Sequence, residues 1–353
     1  MRTLTVALPG REYDIVIERG LLERAGELCK AALPKAKKLA VVTDTNVAPL
    51  YADKVKSSLE SAGFAVQVTT LSAGEHAKCV ENLSLLWESF MDFGLTRTDA
   101  VVTLGGGVMG DLAGFAAATV LRGVDFVQIP TTLLAQVDSS VGGKVAIDLK
   151  AGKNLAGAFH QPKLVLMDPD VLNTLDDKTF ADGMAEVIKY GCIRDGEFFV
   201  FLEQHPSRSQ IMSEIEHVLY TCCSLKQELV VQDERDTGVR MLLNFGHTLG
   251  HAYELAGNYE TWTHGQAVAA GMVKAARLGH SLGITPEGTA ERISALLERF
   301  GLPCSIHCTH AQYAAAVGLD KKGVGENISL ILLESTGKAV ARKMPKAEVL
   351  NLL

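Results

Sequence analysis

Short β-rich runs alternate with helical segments through the first half of the chain, and this alternation restricts the fold more than any other feature. Strands are predicted at Leu4–Leu8, Tyr13–Glu18, Leu39–Thr43, Ala65–Leu71, Ala100–Leu104, Phe126–Ile129 and Leu164–Met167, and helices at Leu21–Leu33, Pro49–Ala62, Ala77–Phe93 and Val108–Val120. Strand and helix at this rhythm imply a parallel sheet covered by helices. Tyr13–Glu18 fits either that sheet or an antiparallel edge hairpin with Leu4–Leu8. Near Asp168-Pro169 the rhythm changes. From there to about Gly318 the apolar spacing is helical, with breaks at Asp195-Gly196, His205-Pro206, Gly257-Asn258 and Gly301-Leu302-Pro303. A last strand pair, Ile328–Leu333 and Ala339–Lys343, precedes a short helix. A chain of 353 residues is long for one core. The reading is an α/β Rossmann-like domain over 1–169, an all-α domain over 170–353, and a cleft between them.

The formal net charge of −7 argues against nucleic acid or an anionic membrane as the general partner. Met1–Val6 reads as a strand rather than the apolar core of a signal peptide. The least polar stretch, Leu112–Leu121, is far too short to span a bilayer. None of the seven cysteines forms a C-x-x-C pair, so no disulfide framework or zinc ribbon is suggested. Cys304, His307, Cys308 and His310 resemble a metal patch only superficially. These features predict a soluble, cytoplasmic protein whose partner is a small molecule.

The run Val137-Asp138-Ser139-Ser140-Val141-Gly142-Gly143-Lys144, reached through Pro130-Thr131-Thr132, places a carboxylate, hydroxyls and a lysine beside a predicted strand end. Parallel α/β folds build their sites at such ends. Gly105-Gly106-Gly107-Val108-Met109-Gly110-Asp111 also follows a strand and opens a helix. It serves either as a phosphate cradle or only for tight helix–strand packing. Asp44-Thr45-Asn46 and Gly74-Glu75-His76-Ala77-Lys78 are either helix caps or holders of a dinucleotide's ribose and adenine. In the helical half, Glu186 and Lys189 are spaced to share a helix face, and so are His247 and His251. With His264 they suit a zinc-type site with an open position; spacing alone points to both His247 and His251 as ligands. Arg122, Lys144, Lys153, Lys189, Lys226, Arg240, Lys321 and Lys322, several beside glycines or amides, suit a phosphate and a carboxylate if they converge.

The segments Pro130–Lys144, Gly152-Lys153-Asn154, Ala185-Glu186-Val187-Ile188-Lys189-Tyr190-Gly191, Leu243-Asn244-Phe245-Gly246-His247-Thr248 and Asp320-Lys321-Lys322 together resemble the 3-dehydroquinate synthase family, of the sugar-phosphate cyclases, over essentially the whole chain. The resemblance implies bound NAD, a divalent metal (zinc or cobalt), and a homodimer. It also implies conversion of 3-deoxy-D-arabino-heptulosonate 7-phosphate to 3-dehydroquinate and phosphate through a transient NAD redox cycle, in the shikimate pathway. Matched position by position, it gives Glu186, His247 and His264 to the metal, and turns His251 toward substrate. Asp138, Lys144, Asn154, Lys189, Lys226, Arg240, Asn244, His251 and one of Lys321 or Lys322 would line the substrate, with Lys144, Lys189, Arg240, Asn244 and His251 closest to the chemistry. Arg122 would reach the phosphate of the neighbouring subunit. Asp44, Glu75, Lys78, Gly106, Gly107, Asp111, Thr131, Thr132, Asp138 and Lys153 would hold NAD.

Val145-Ala146-Ile147-Asp148 stands where many relatives carry Thr-Gly-Val-Asn, and Gln266 where a Glu often follows the ligand His-Gly. Leu255–Thr263, before His264, is about one residue longer than the family pattern. The rival readings are a sister cyclase making valiolone- or inosose-type products, an alcohol dehydrogenase of the glycerol dehydrogenase type, and an inactive binding protein. Retention of Arg240, Asn244 and Lys189 favours the dehydroquinate reaction over the first.

Overall fold

Aliphatic runs buried on both faces build the first half of the chain, the pattern parallel strands require when helices cover the sheet. In the computed structural model, which describes residues 1–258, 260–319 and 326–353, two compact units emerge. One comprises Met1–Leu175 with Leu219–Val231, the other Asp176–Val218 with Gln232–Leu353.

The first unit runs β1 (Arg2–Val6), β2 (Tyr13–Ile17), α1 (Ala25–Ala32), β3 (Lys38–Asp44), α2 (Asp53–Ser61), β4 (Ala65–Leu71), α3 (Val80–Asp92), β5 (Ala100–Gly105), α4 (Gly107–Thr119), β6 (Asp125–Pro130), β7 (Lys144–Leu149), β8 (Gly152–Phe159) and β9 (Leu164–Met167). Its sheet has the order β1-β2-β9-β6-β5-β3-β4, parallel except for β1. The two readings of Tyr13–Glu18 both hold, because β2 pairs antiparallel with β1 and parallel with β9. The expected helix Leu21–Leu33 starts as a 3-10 turn over Leu21–Arg24, and Pro49 lies in a wider turn before α2. β7 and β8 form a separate antiparallel hairpin that the sequence reading did not anticipate. Val145 and Ile147 of β7 join Leu86, Phe90, Val101, Leu112 and Phe126 in one core. Each large side chain buried there contributes about 2–3 kcal/mol.

The second unit carries α5 (Asp177–Ile193), α6 (Gly196–Gln204), α7 (Arg208–Ser213), α8 (Ile215–Gln232, whose middle belongs to the first unit), α9 (His247–Ala256), α10 (His264–Ser281), α11 (Thr289–Arg299), α12 (His310–Leu319), the hairpin β10 (Asn327–Ser335) and β11 (Lys338–Pro345), and α13 (Lys346–Leu352). Leu278, Ile328, Leu330, Leu332, Met344 and Val349 form a core that seats the hairpin on α10. Helices α9 and α10 cross closely: a Cβ on Gly271 would sit 2.1 Å from the Gly246 carbonyl oxygen. Among the described residues no helix is long and apolar enough to cross a membrane.

Candidate active site: a three-ligand metal group and a dinucleotide crevice

In the first unit the chain steps outward from β3 to β4 and then back to β5 on the other side of β3. Connections that diverge in this way open a crevice at the carboxyl ends of the two strands. Asp44 closes β3, 8% exposed, with Oδ1 accepting from the N–H groups of Asn46 and Val47. At the end of β5, a Cβ on Gly105 would sit 2.8 Å from Met109 and 3.4 Å from the Asp44 carboxylate. One on Gly106 would lie 3.1 Å from Thr132, and one on Gly107 3.0 Å from the Ser139 hydroxyl. Tight packing and a cradle are thus compatible, since no side chain caps the α4 N-terminus that these glycines open. Thr131 donates its N–H to Gly105 at 3.0 Å and is buried, yet its hydroxyl has no hydrogen-bond partner among the described residues. A glycine cradle beside an orphaned hydroxyl fits a nucleotide.

Alongside lies a charged network. The Lys78 ammonium, 4% exposed, donates to Asp111 Oδ2 at 2.8 Å and Asn154 Oδ1 at 2.5 Å, and lies 3.5 Å from Glu75. Burial works against its charge, but Asp111, Glu75 and Asp148 outweigh it and hold Lys78 above its ordinary value. Lys153 reaches Glu75 at 4.0 Å. Lys226, on the stretch of α8 that belongs to this unit, donates to the Asp138 carboxylate at 2.8 Å. Lys144 opens β7 and is exposed. Arg122 is exposed on a turn where Leu121, Arg122 and Gly123 all have positive φ (51°, 69° and 108°). Strain of this kind persists only where the surroundings impose it.

In the second unit, one turn of α5 carries Glu186 and Lys189, both buried, with the ammonium on Glu186 Oε2. The first residues of α9 and α10 complete the group. His247 Nε2 lies 3.4 Å and His264 Nε2 3.6 Å from Glu186 Oε1. One donor atom from each of Glu186, His247 and His264 falls within 4.8 Å of the others. Each imidazole turns its Nδ1 outward, His247 to the Phe245 carbonyl at 3.2 Å and His264 to Glu254 Oε1 at 3.5 Å. Outward acceptors on both rings turn Nε2 inward, the nitrogen that each imidazole in its neutral form would offer a metal. A carboxylate with two imidazoles is a zinc-type donor set that keeps an open position. Burial, reinforced by the Lys189 ammonium, pushes His247 down to about 3, so its imidazole is neutral at pH 7. Burial acts likewise on His264, but its bonds to Glu186 and Glu254 outweigh it and raise that group well above its ordinary value.

His251 lies one turn along α9, exposed and 5.9 Å from the His247 ring, outside the ligand group; the spacing-only assignment of His251 as a ligand is corrected. Cys304, His307, Cys308 and His310 form no such group among the described residues. Arg240 is 2% exposed and donates to the Glu234 carbonyl at 2.8 Å, and Asn244 donates to the Met241 carbonyl at 2.9 Å. Lys321 and Lys322 lie outside the described residues. Glu254 was missed by the sequence reading, although its place on α9 beside the histidines was a signal. Gln266 closes a capping box with Thr263, a part Gln fills as Glu does, so the departure there is neutral and seats His264 at the first position of α10.

The fold recurs in two solved synthases. A 2-deoxy-scyllo-inosose synthase, in complex with carbaglucose-6-phosphate, NAD+ and Co2+, matches with a TM-score of 0.89 at 24% identity, over 99% of both chains. The 2-epi-5-epi-valiolone synthase of Streptomyces hygroscopicus, with NAD+ and Zn2+ bound, matches with a TM-score of 0.88 at 27% identity, over 98% of this chain and 97% of that one. Family models narrow the class: 3-dehydroquinate synthase N-terminal matches residues 68–182, and 3-dehydroquinate synthase C-terminal matches 183–323. A 3-dehydroquinate synthase of Clostridium botulinum is 50% identical over 341 residues, 96% of this chain and 97% of the relative. The chain belongs to the 3-dehydroquinate synthase family.

Proposed function

We propose that the protein is an NAD- and metal-dependent 3-dehydroquinate synthase, a carbon–oxygen lyase of the shikimate pathway that eliminates phosphate from 3-deoxy-D-arabino-heptulosonate 7-phosphate. The observation that carries the reading is the buried Glu186–His247–His264 group with its outward acceptors, in a chain of this family. When bound, NAD supplies a reversible hydride acceptor and the metal supplies Lewis acidity. Glu186, His247 and His264 would hold the metal. Asp44, Glu75, Lys78, Gly106, Gly107, Asp111, Thr131, Thr132, Asp138 and Lys153 would hold the dinucleotide.

The remaining residues act on the sugar phosphate. Lys189, Arg240 and Asn244 bind its carboxylate; Arg and Asn bring directed donors where a lysine alone brings a point charge. Lys144, Asn154, Lys226 and Arg122 face the phosphate and stabilise charge as it develops on the leaving group. Arg122 does so from a second copy of the chain. His251 donates to a substrate oxygen. The phosphate itself takes the proton in the elimination, so no separate strong base is needed.

The test is phosphate release from 3-deoxy-D-arabino-heptulosonate 7-phosphate with trace NAD and zinc, followed together with absorbance of NADH. Phosphate and dehydroquinate in large excess over NAD, without net NADH, are expected. No phosphate release, or NADH accumulating with a simple alcohol, would move the protein to a sister cyclase or a dehydrogenase.

A further inference from the structure

Asp148 has no part in the roles above, yet it closes a ring of hydrogen bonds. Asn154 of β8 has φ +54°, a left-handed conformation that Asn and Asp tolerate better than other L-residues but still seldom adopt unaided. Asp148 Oδ1 accepts the Asn154 backbone N–H at 2.7 Å. The backbone N–H of Asp148 donates to the Lys78 carbonyl at 2.9 Å, and the Lys78 ammonium donates to Asn154 Oδ1 at 2.5 Å. The ring spans the turn of the β7–β8 hairpin, where the register shifts between Ile147 and Leu149 and no regular ladder could do this work.

We propose that Asp148 is a positioning residue: it fixes Asn154 in its left-handed conformation and thereby couples Lys78, on the dinucleotide side, to Asn154, on the substrate side. The assignment of the two sides rests on the proposed function. Without the carboxylate, Asn154 relaxes toward extended backbone and carries its amide away from Lys78. Affinity for both ligands then falls together. An acceptor at Oδ1 suffices for this, so an amide should replace the carboxylate.

The experiment compares Asp148→Ala and Asp148→Asn as zinc-loaded enzymes. NAD affinity is titrated by fluorescence without substrate, and KM and kcat for the sugar phosphate are measured separately. Loss of one hydrogen bond predicts that Ala raises both the NAD Kd and KM by roughly fivefold to tenfold and leaves kcat within about twofold, with Asn restoring both affinities. Unchanged affinities in Ala, or Asn failing as badly as Ala, would overturn the proposal. Should Asp148→Ala not fold, Asn154→Gly carries the test. It keeps the left-handed backbone but removes the amide from Lys78, so the NAD Kd must rise by a similar factor, and an unchanged value overturns the coupling. A wild-type enzyme that binds NAD but releases no phosphate would sink the functional reading instead, while the NAD titrations would still report on Asp148.

Discussion

Glu254 bears on how much of the proposed metal group lies outside its ligands. It is 4% exposed and sits 3.5 Å from His264 Nδ1, where it would set the ring's orientation and the tautomer that offers Nε2 to a metal. Glu254→Ala should lower zinc affinity about 10- to 100-fold, measured by competition with a chromogenic chelator, while Glu254→Gln keeps an acceptor oxygen and loses less. Removal of a ligand goes further: Glu186→Gln or His247→Ala should strip the metal and abolish turnover, with the NAD Kd nearly unchanged, and full activity without metal would refute the ligand set. At this scale the sequence was readable where spacing sufficed. Glu186 and Lys189 do share a face, because a helix brings such positions together. The same rule made His247 and His251 look equivalent. Only the close crossing of α9 with α10, permitted by Gly271, decides which of them meets Glu186, and no local pattern records that crossing.

Asp99 illustrates the element scale, since it fastens the start of β3 beside that of β5. Its carboxylate accepts from the N–H groups of Lys37 and Lys38 at 2.9 Å, and from the N–H and hydroxyl of Thr96 at 2.9 and 2.6 Å. Burial pushes the Asp99 carboxyl up, but these bonds outweigh it and hold it below its ordinary value. A depressed carboxyl stabilises the fold above its unfolded value of about 3.9, and the gain is lost as pH falls through the folded value. Asp99→Asn, which turns amide hydrogens toward two of those donors, should cost about 2–3 kcal/mol at pH 7 in urea unfolding. The difference from wild type should shrink from about pH 4 downward; a constant difference to pH 3 would contradict the account. Strands such as β5 and β9 were legible because they are almost wholly apolar and buried on both faces. The β7–β8 hairpin was not. Its Ala, Gly and Lys residues have low strand preference, and its pairing depends on packing against α4 and on Gly157, where a Cβ would sit 2.3 Å from the Val145 carbonyl oxygen.

For the molecule as a whole, the sequence marked the change of rhythm near Asp168-Pro169 but not the return of Leu219–Val231 to the first unit. That return is what brings Lys226 to Asp138, and it is illegible because an amphipathic helix does not declare what its apolar face will meet. Arg122 raises the same question one level up. It is exposed on a turn with three successive positive φ values, a costly arrangement to keep for a side chain with no work to do. If Arg122 serves the phosphate held by a second copy, Arg122→Ala and Glu186→Gln should each be nearly inactive alone, the first through a raised KM. Mixed one to one after unfolding and refolding, half of the dimers are hybrids, and in each hybrid one of two sites has an intact ligand set and an intact arginine. About a quarter of wild-type activity should therefore return, since one half times one half of all sites is repaired. Restoration to that level requires an exchanged side chain, because no site built within one chain can be repaired by mixing. Mixed dimers that show only the average of the two parents would place Arg122 in its own subunit's site, and the strained turn would then need another explanation.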